Sequence, residues 1–209
     1  MAGYDPIAVI GLSCCLPEDA ASPEKFWELL VPYQNGVRDG IPMHSTIVEK
    51  TNSINFQQRC PFLTEDVMSF DATFSNTSQA EATAMDLQER FALELAYEAF
   101  ESAWLPIEAV SGTKTGCFMG SSTSDYRDTI DRDPDSNLRY TLTGVITEMI
   151  ANPTSWYYKL KGPSMVIQTV CGVNLMLNPD ISIYLNNMTM STKEGHCKSF
   201  DASGDGYSR

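Results

Sequence analysis

Met165-Val166-Ile167-Gln168-Thr169-Val170-Cys171 is an apolar run that ends in a cysteine. It is rich in β-branched residues and shows little polar–apolar alternation. It also follows a turn, Lys161-Gly162-Pro163-Ser164, so residues 165–170 read as a buried strand of the kind found in parallel sheets. A cysteine at the tip of such a strand becomes a nucleophile when a helix N-terminus follows it, because the helix lowers the thiol pKa and offers N–H donors to an oxyanion. Gly172-Val173-Asn174-Leu175-Met176-Leu177 comes next, and it does not open a helix. A cysteine in an apolar site without that support is an inert thiol, and the local sequence favours this second reading.

The flanking elements suggest strands alternating with helices, an α/β layered fold. Ile7-Ala8-Val9-Ile10 before Gly11 reads as a first buried strand, and Thr115 to Gly120 as another short one. Ser22-Pro23-Glu24 is a helix start, with Ser22 as N-cap and Phe26, Leu29 and Leu30 on the buried stripe. Residues 35–65 read as an irregular surface excursion. The strongest helix is expected from Gln79 to Trp104, stopped by Pro106. Leu87, Phe91, Leu95 and Ala99 would form its apolar face, and Arg90 and Glu94 an i,i+4 pair on its flank. Ser121 to Ser136 reads as a polar loop, and Thr143 to Ile150 as a helix ending near Asn152-Pro153.

Composition narrows the function. The chain has 209 residues, 43% hydrophobic and 20% charged, with a net charge of −13. Such acidity argues against nucleic-acid binding, which needs clustered Lys and Arg, and would repel an anionic carrier unless a basic patch exists locally. No apolar stretch is long enough to span a bilayer, and the N-terminal residues carry no basic leader, so a cytoplasmic setting is expected. The six cysteines, at 14, 15, 60, 117, 171 and 197, include no C-x-x-C pair, so no zinc site and reduced thiols are expected. Asp201-x-Ser203-x-Asp205-Gly206 resembles the start of a calcium loop but lacks its closing Glu. Ser121-Ser122-Thr123-Ser124-Asp125 lacks the lysine of a phosphate loop and reads as a surface loop. His44 and His196 are isolated in polar stretches outside any recognised motif.

Several segments, taken in order, carry a family resemblance. They are Asp5 to Gly11, Ser22 to Leu30, Phe70-Asp71-Ala72, Glu81 to Arg90 and Glu94 to Ala99. Next come Thr115 to Gly120, Lys161 to Ser164, Thr169-Val170-Cys171, Gly172 to Pro179, Cys197 to Asp201 and Asp205-Gly206-Tyr207. In register over nearly the whole chain, they resemble the N-terminal half of a β-ketoacyl synthase domain, specifically that of a fungal-type, highly reducing iterative polyketide synthase. The resemblance implies a thiolase-like layered αβαβα fold, here its N-terminal half over residues 1–209, from a family that is dimeric. It implies that Cys171 accepts an acyl chain from the phosphopantetheine arm of an acyl carrier protein. Two histidines then assist decarboxylative condensation with a malonyl-type thioester.

The departures from the family pattern are specific. In the family a run of serines and a long buried helix follow the cysteine, then a strand leading to the Gly-Val-Asn-Leu segment. Here Cys171 joins Gly172 directly, which reads as an internal deletion at 171/172. Gln168 stands where an aspartate is usual, Leu87 and Glu89 break a Pro-Gln-Gln-Arg pattern, and Pro153 and Cys15 replace arginines. Arg209 precedes the positions of both catalytic histidines. The expectation is a ketosynthase component whose isolated chain is impaired. The alternatives are a remnant without chemistry, and a partial domain that only docks a carrier protein or an intact ketosynthase.

Overall fold

The structure is a computed structural model describing residues 6–17, 20–34, 46–51, 54–59, 63, 66–122, 125–132 and 139–168. It also describes 172, 173, 175, 177, 183, 184, 187, 188, 190, 202 and 203, with 32–34, 46–51 and 54–59 known in backbone only. The chain divides into two units, one of Met1–Cys14 and Val67–Leu177, the other of Cys15–Asp66 and Asn178–Arg209.

The second unit holds helix α1 (Pro23–Gln34) and strands β1 (Thr46–Thr51) and β2 (Ile54–Arg59). α1 begins where Ser22-Pro23 places it: the Ser22 hydroxyl accepts from Lys25 N–H at 3.3 Å, and the Ser22 carbonyl from Phe26 N–H at 2.9 Å. Phe26, Leu29 and Leu30 are half-buried. β1 and β2 pair antiparallel from Thr46↔Arg59 to Thr51↔Ile54, so the stretch read as irregular contains a hairpin.

The first unit is built on two parallel strands, β3 (Cys117–Ser121) and β4 (Ser164–Gln168), in the register Cys117↔Ser164 to Ser121↔Gln168. Between them run α5 (Asp125–Asp131), α6 (Thr141–Val145), a 3-10 turn (Thr147–Met149) and α7 (Ala151–Tyr157). Ahead of them lie α2 (Gln79–Ala84), α3 (Leu87–Ser102) and the short α4 (Ile107–Val110). α7 packs on α3 and on both strands. An aromatic cluster seals that contact: Phe100 lies 4.8 Å from Tyr158, Tyr158 lies 4.8 Å from Tyr157, and Phe74 stacks edge-on to Tyr97 at 4.9 Å.

The structure corrects several expectations. The helix expected over Gln79–Trp104 is two helices. Ser78 closes a capping box on α2, its hydroxyl accepting from Glu81 N–H while the Glu81 carboxylate accepts from Ser78 N–H at 3.0 Å. Met85 is then extended (φ −73°, ψ 132°), and Asp86 starts α3 by accepting from Gln88 N–H at 2.8 Å. Asp86 N–H donates to the Gly144 carbonyl at 2.7 Å, and a Cβ on Gly144 would fall 2.2 Å from the Ala84 carbonyl oxygen. The bend is therefore locked by main-chain contact with α6. The buried part of α3 is Leu87 to Arg90 with Ala92 and Leu93, whereas Phe91, Leu95 and Ala99 are only half-buried.

Arg90 is buried rather than on a flank. Its Nε donates to the Met85 carbonyl at 3.2 Å, and its guanidinium lies 5.9 Å from the Phe70 ring centre. Pro153 does not end a helix: it occupies the first turn of α7, where its missing N–H has no intrahelical partner to lose.

Ile7 to Ile10 is not a strand among the described residues, and Ile7 is 96% exposed. The run is anchored only past its end. Leu12 N–H reaches Ser102 Oγ at 3.4 Å, Ser13 Oγ donates to the Leu95 carbonyl at 2.6 Å, and Gly11 sits against the Ala99 carbonyl, where no side chain fits. Nor is β4 buried. One face of the parallel pair, with Cys117 and Ser121 buried and Met119 and Val166 half-buried, is the covered one. The opposite face shows Phe118, Met165 and Ile167 at 60%, 52% and 53% exposure.

Candidate active site at the carboxyl ends of β3 and β4

Ligand and catalytic groups in α/β sheets gather beyond the carboxyl ends of the strands. Here those ends are Ser121 and Gln168, and Cys171 follows Gln168 by three positions. Cys171 itself lies outside the described residues, as do Thr169 and Val170. Its successors are placed. Gly172 has φ +134°, and a Cβ there would fall 2.2 Å from the Gly120 carbonyl oxygen, so only glycine fits. Val173 N–H donates to that same carbonyl at 2.9 Å, and Leu177 N–H donates to Asp125 Oδ2 at 3.0 Å. The segment after the cysteine is thus held against the end of β3 and the start of α5. Its described residues, 172, 173, 175 and 177, are non-helical.

Beneath it lies a buried polar cluster that the sequence did not reveal. Asp86, Gln88, Glu89 and Arg90 from the start of α3 join Ser121 from β3 and Asp125 from α5. Ser121 Oγ donates to Gln88 Oε1 at 3.4 Å. Burial pushes the Asp86 carboxyl up to about 6; Asp125 adds to the rise, while the Gln88 N–H and Arg90 oppose it. Burial, then the charge of Asp86, pushes Glu89 up to about 9, so at neutral pH Glu89 is a neutral acid. Glu89 Oε1 has no hydrogen-bond partner among the described residues. The one sequence signal was Glu89 itself, a carboxyl where the family pattern has an amide. Ser121 and Asp125, read as part of a surface loop, are both buried.

The cluster can hold protons, and its cation, Arg90, is turned to the Met85 carbonyl and the Phe70 ring. Among the described residues no group of His, Cys, Asp and Glu could hold a metal ion. His44, His196, Asp201 and Asp205 lie outside the described residues. Cys117 is a buried thiol, and burial pushes its pKa up. A cleft of about 840 Å³ in the same unit is lined by Ile107, Glu108, Trp156, Tyr157, Lys159 and Lys161 among others. None of Ser121, Gln168, Gly172 or Val173 lines it. No helix among the described residues is long and apolar enough to cross a membrane.

Comparison with solved structures fixes the fold. A Streptomyces albus oxazolomycin ketosynthase domain superposes over 96% of this chain and 40% of its own, with a TM-score of 0.75 at 22% identity. The ketosynthase from module 6 of the Bacillus subtilis bacillaene synthase covers 96% and 37%, with a TM-score of 0.71 at 21% identity. The fold is therefore the thiolase-like α/β fold of ketosynthase domains, present in part. In sequence, the highly reducing polyketide synthase Dhc3 of Alternaria cinerariae is 39% identical over 241 residues, which takes in 98% of this chain. The highly reducing polyketide synthase ZEA2 of Gibberella zeae is 38% identical over the same length and share. The chain spans about a tenth of the length of either relative. The family profile for the β-ketoacyl synthase N-terminal domain matches in two stretches, residues 4–172 and 170–209. With both stretches together spanning nearly all 209 residues, the chain belongs to the β-ketoacyl synthase family as a representative of its N-terminal domain.

Proposed function

We propose that this chain is the N-terminal part of a polyketide ketosynthase, with Cys171 as its acyl acceptor and an internal deletion between Cys171 and Gly172. What supports the reading is that Thr169-Val170-Cys171 directly follows Gln168, the last residue of β4, in the sequence of a chain of this family. In the proposed chemistry the Cys171 thiolate attacks the thioester carbonyl of an acyl chain delivered on the phosphopantetheine arm of an acyl carrier protein. The bond to the arm's sulfur breaks, and the arm leaves as a thiol after taking up a proton. A malonyl-type thioester then loses carbon dioxide, and the carbon that bore it attacks the acyl carbonyl and releases Cys171. The reaction suits a cytoplasmic homodimer that receives its substrates from carrier domains of the same synthase.

The isolated chain is slow at the first step. The described residues next after Cys171, 172, 173, 175 and 177, are non-helical, and want of a helix N-terminus to stabilise the oxyanion costs on the order of 10²-fold in rate. That same observation favours a second reading, a partial domain that docks a carrier protein or an intact ketosynthase without chemistry of its own. Incubation with an acyl-N-acetylcysteamine thioester, followed by intact-mass and peptide mapping, separates the two. A slow adduct on Cys171 that vanishes in Cys171→Ala supports acyl transfer. No adduct, under conditions that label an intact ketosynthase, refutes it.

A further inference from the structure

The acids of this chain are unevenly spread. Residues 109–124 and 149–179 contain no Asp or Glu, although the whole chain carries a net charge of −13. They do contain Lys114, Lys159 and Lys161, all exposed. The fold brings these lysines together. The β3–β4 register pairs Cys117 with Ser164, and continued three positions back it sets Lys114 opposite Lys161. Main-chain bonds hold that alignment: Lys161 N–H donates to the Thr113 carbonyl at 2.8 Å, and Gly162 N–H to the Thr115 carbonyl at 3.1 Å. Lys159 follows α7 at φ +53°, a position that glycine usually takes, and its carbonyl accepts from Gly112 N–H at 3.1 Å. Like charges directly opposite each other destabilise a strand pair. Among the described residues none of the three lysines has an acidic partner.

Lys159 and Lys161 line the cleft of about 840 Å³ noted above. That volume falls within the range of small-molecule sites, roughly 300 to 1,000 Å³. Trp156, 61% exposed, lines it together with Tyr157 and Ile107, and these give a flat ring system a surface to stack on. Glu108 is the acid on that lining, and a carboxylate accepts hydrogen bonds from sugar hydroxyls. Lysines are common phosphate binders, acting as point charges. The lining residues all belong to the first unit. The lysines stand at the amino ends of β3 and β4, the opposite pole from the strand end that precedes Cys171 in sequence.

We propose that this cleft binds a nucleoside diphosphate, its base stacked on Trp156, its sugar hydroxyls donating to Glu108 and its phosphates on Lys159 and Lys161, with Lys114 adding to the field. The bound anion offsets the repulsion between Lys114 and Lys161 that the register imposes. The site is separate from Cys171, and the proposal is independent of whether that cysteine reacts.

The test is isothermal titration of the full chain with ADP, with pyrophosphate and with adenosine, in the absence of divalent cations. ADP should bind saturably at one per chain with a Kd at or below about 1 mM. It should bind at least tenfold more tightly than either pyrophosphate or adenosine, and more weakly as salt is added. Lys161→Ala should weaken ADP and pyrophosphate alike by at least tenfold. Trp156→Ala should weaken ADP by at least tenfold and leave pyrophosphate unchanged. Should that variant unfold, Trp156→Leu keeps an apolar side chain without the ring and provides the comparison. Cys171→Ala should bind ADP as the unsubstituted chain does, which separates this site from acyl transfer. Absent saturation overturns the proposal, as does ADP binding that ignores Lys161→Ala and Trp156→Ala. Pyrophosphate binding as tight as that of ADP would mean an adventitious ion only and would overturn it too.

Discussion

Replacing Glu89 by Gln should stabilise this protein, and by an amount that grows with pH. Glu89 is 1% exposed at the start of α3, with Oε1 unpartnered among the described residues. Its carboxyl titrates at 4.5 when the chain unfolds and at about 9 in the fold. Below pH 4.5 both states hold the proton and the residue costs nothing through ionisation. Above it the unfolded chain releases a proton that the folded chain keeps, so folding loses about 1.4 kcal/mol per pH unit until the folded carboxyl ionises near 9. At pH 7 the deficit is roughly 3 kcal/mol, a large part of the stability of an ordinary domain. Glutamine has nearly the same volume, does not ionise, and brings an N–H₂ donor that can reach the carboxylates nearby. Urea denaturation by circular dichroism at pH 5, 6, 7 and 8 should show the variant's advantage rising from below 1 kcal/mol to roughly 3 to 5. An advantage that stays flat across this range, or a less stable variant, would refute the argument that a buried neutral acid sits at this position.

Two further substitutions probe the bend between α2 and α3. Ser78→Ala removes the hydroxyl half of the capping box, leaves the Ser78 N–H bond to the Glu81 carboxylate, and should cost about 1 kcal/mol in thermal or urea unfolding, while Ser78→Thr retains most of it. A loss below about 0.3 kcal/mol would mean that α2 is held by packing alone. Gly144→Ala drives a methyl group into the Ala84 carbonyl and strains the bond from Asp86 N–H, so a loss of about 2 to 3 kcal/mol is expected, with faster amide exchange at Asp86. Wild-type stability in that variant would show that the α6 contact is not tight.

How far the sequence could be read depended on whether the deciding partner was local. The start of α1 was legible because Ser22, Pro23 and Glu24 carry its whole signal within four residues. The break at Met85-Asp86 was not, since no glycine or proline marks it and Asp86 becomes an N-cap only because Gly144, 58 positions away, takes its N–H. The β1–β2 hairpin was missed because its strands are polar, although two residues between Thr51 and Ile54 are a hairpin length. Ile7–Ile10 and β4 have the composition of buried strands, but burial needs a neighbouring element, and strand composition says nothing about whether one is present. The same limit hid the acid cluster. Asp86, Glu89 and Asp125 are ordinary surface residue types, and only the tertiary fold, which brings Ser121 within reach of Gln88, buries them.

The open face of the parallel pair also leaves a thermal signature. Phe118, Met165 and Ile167 are already hydrated in the fold, so melting exposes less new apolar surface than it would in a fully covered sheet. The heat-capacity increment of unfolding scales with that surface, at about +0.45 cal/K/mol per Å². The stability curve of this chain is correspondingly shallow, with a broader maximum and less cold destabilisation than its length alone would give.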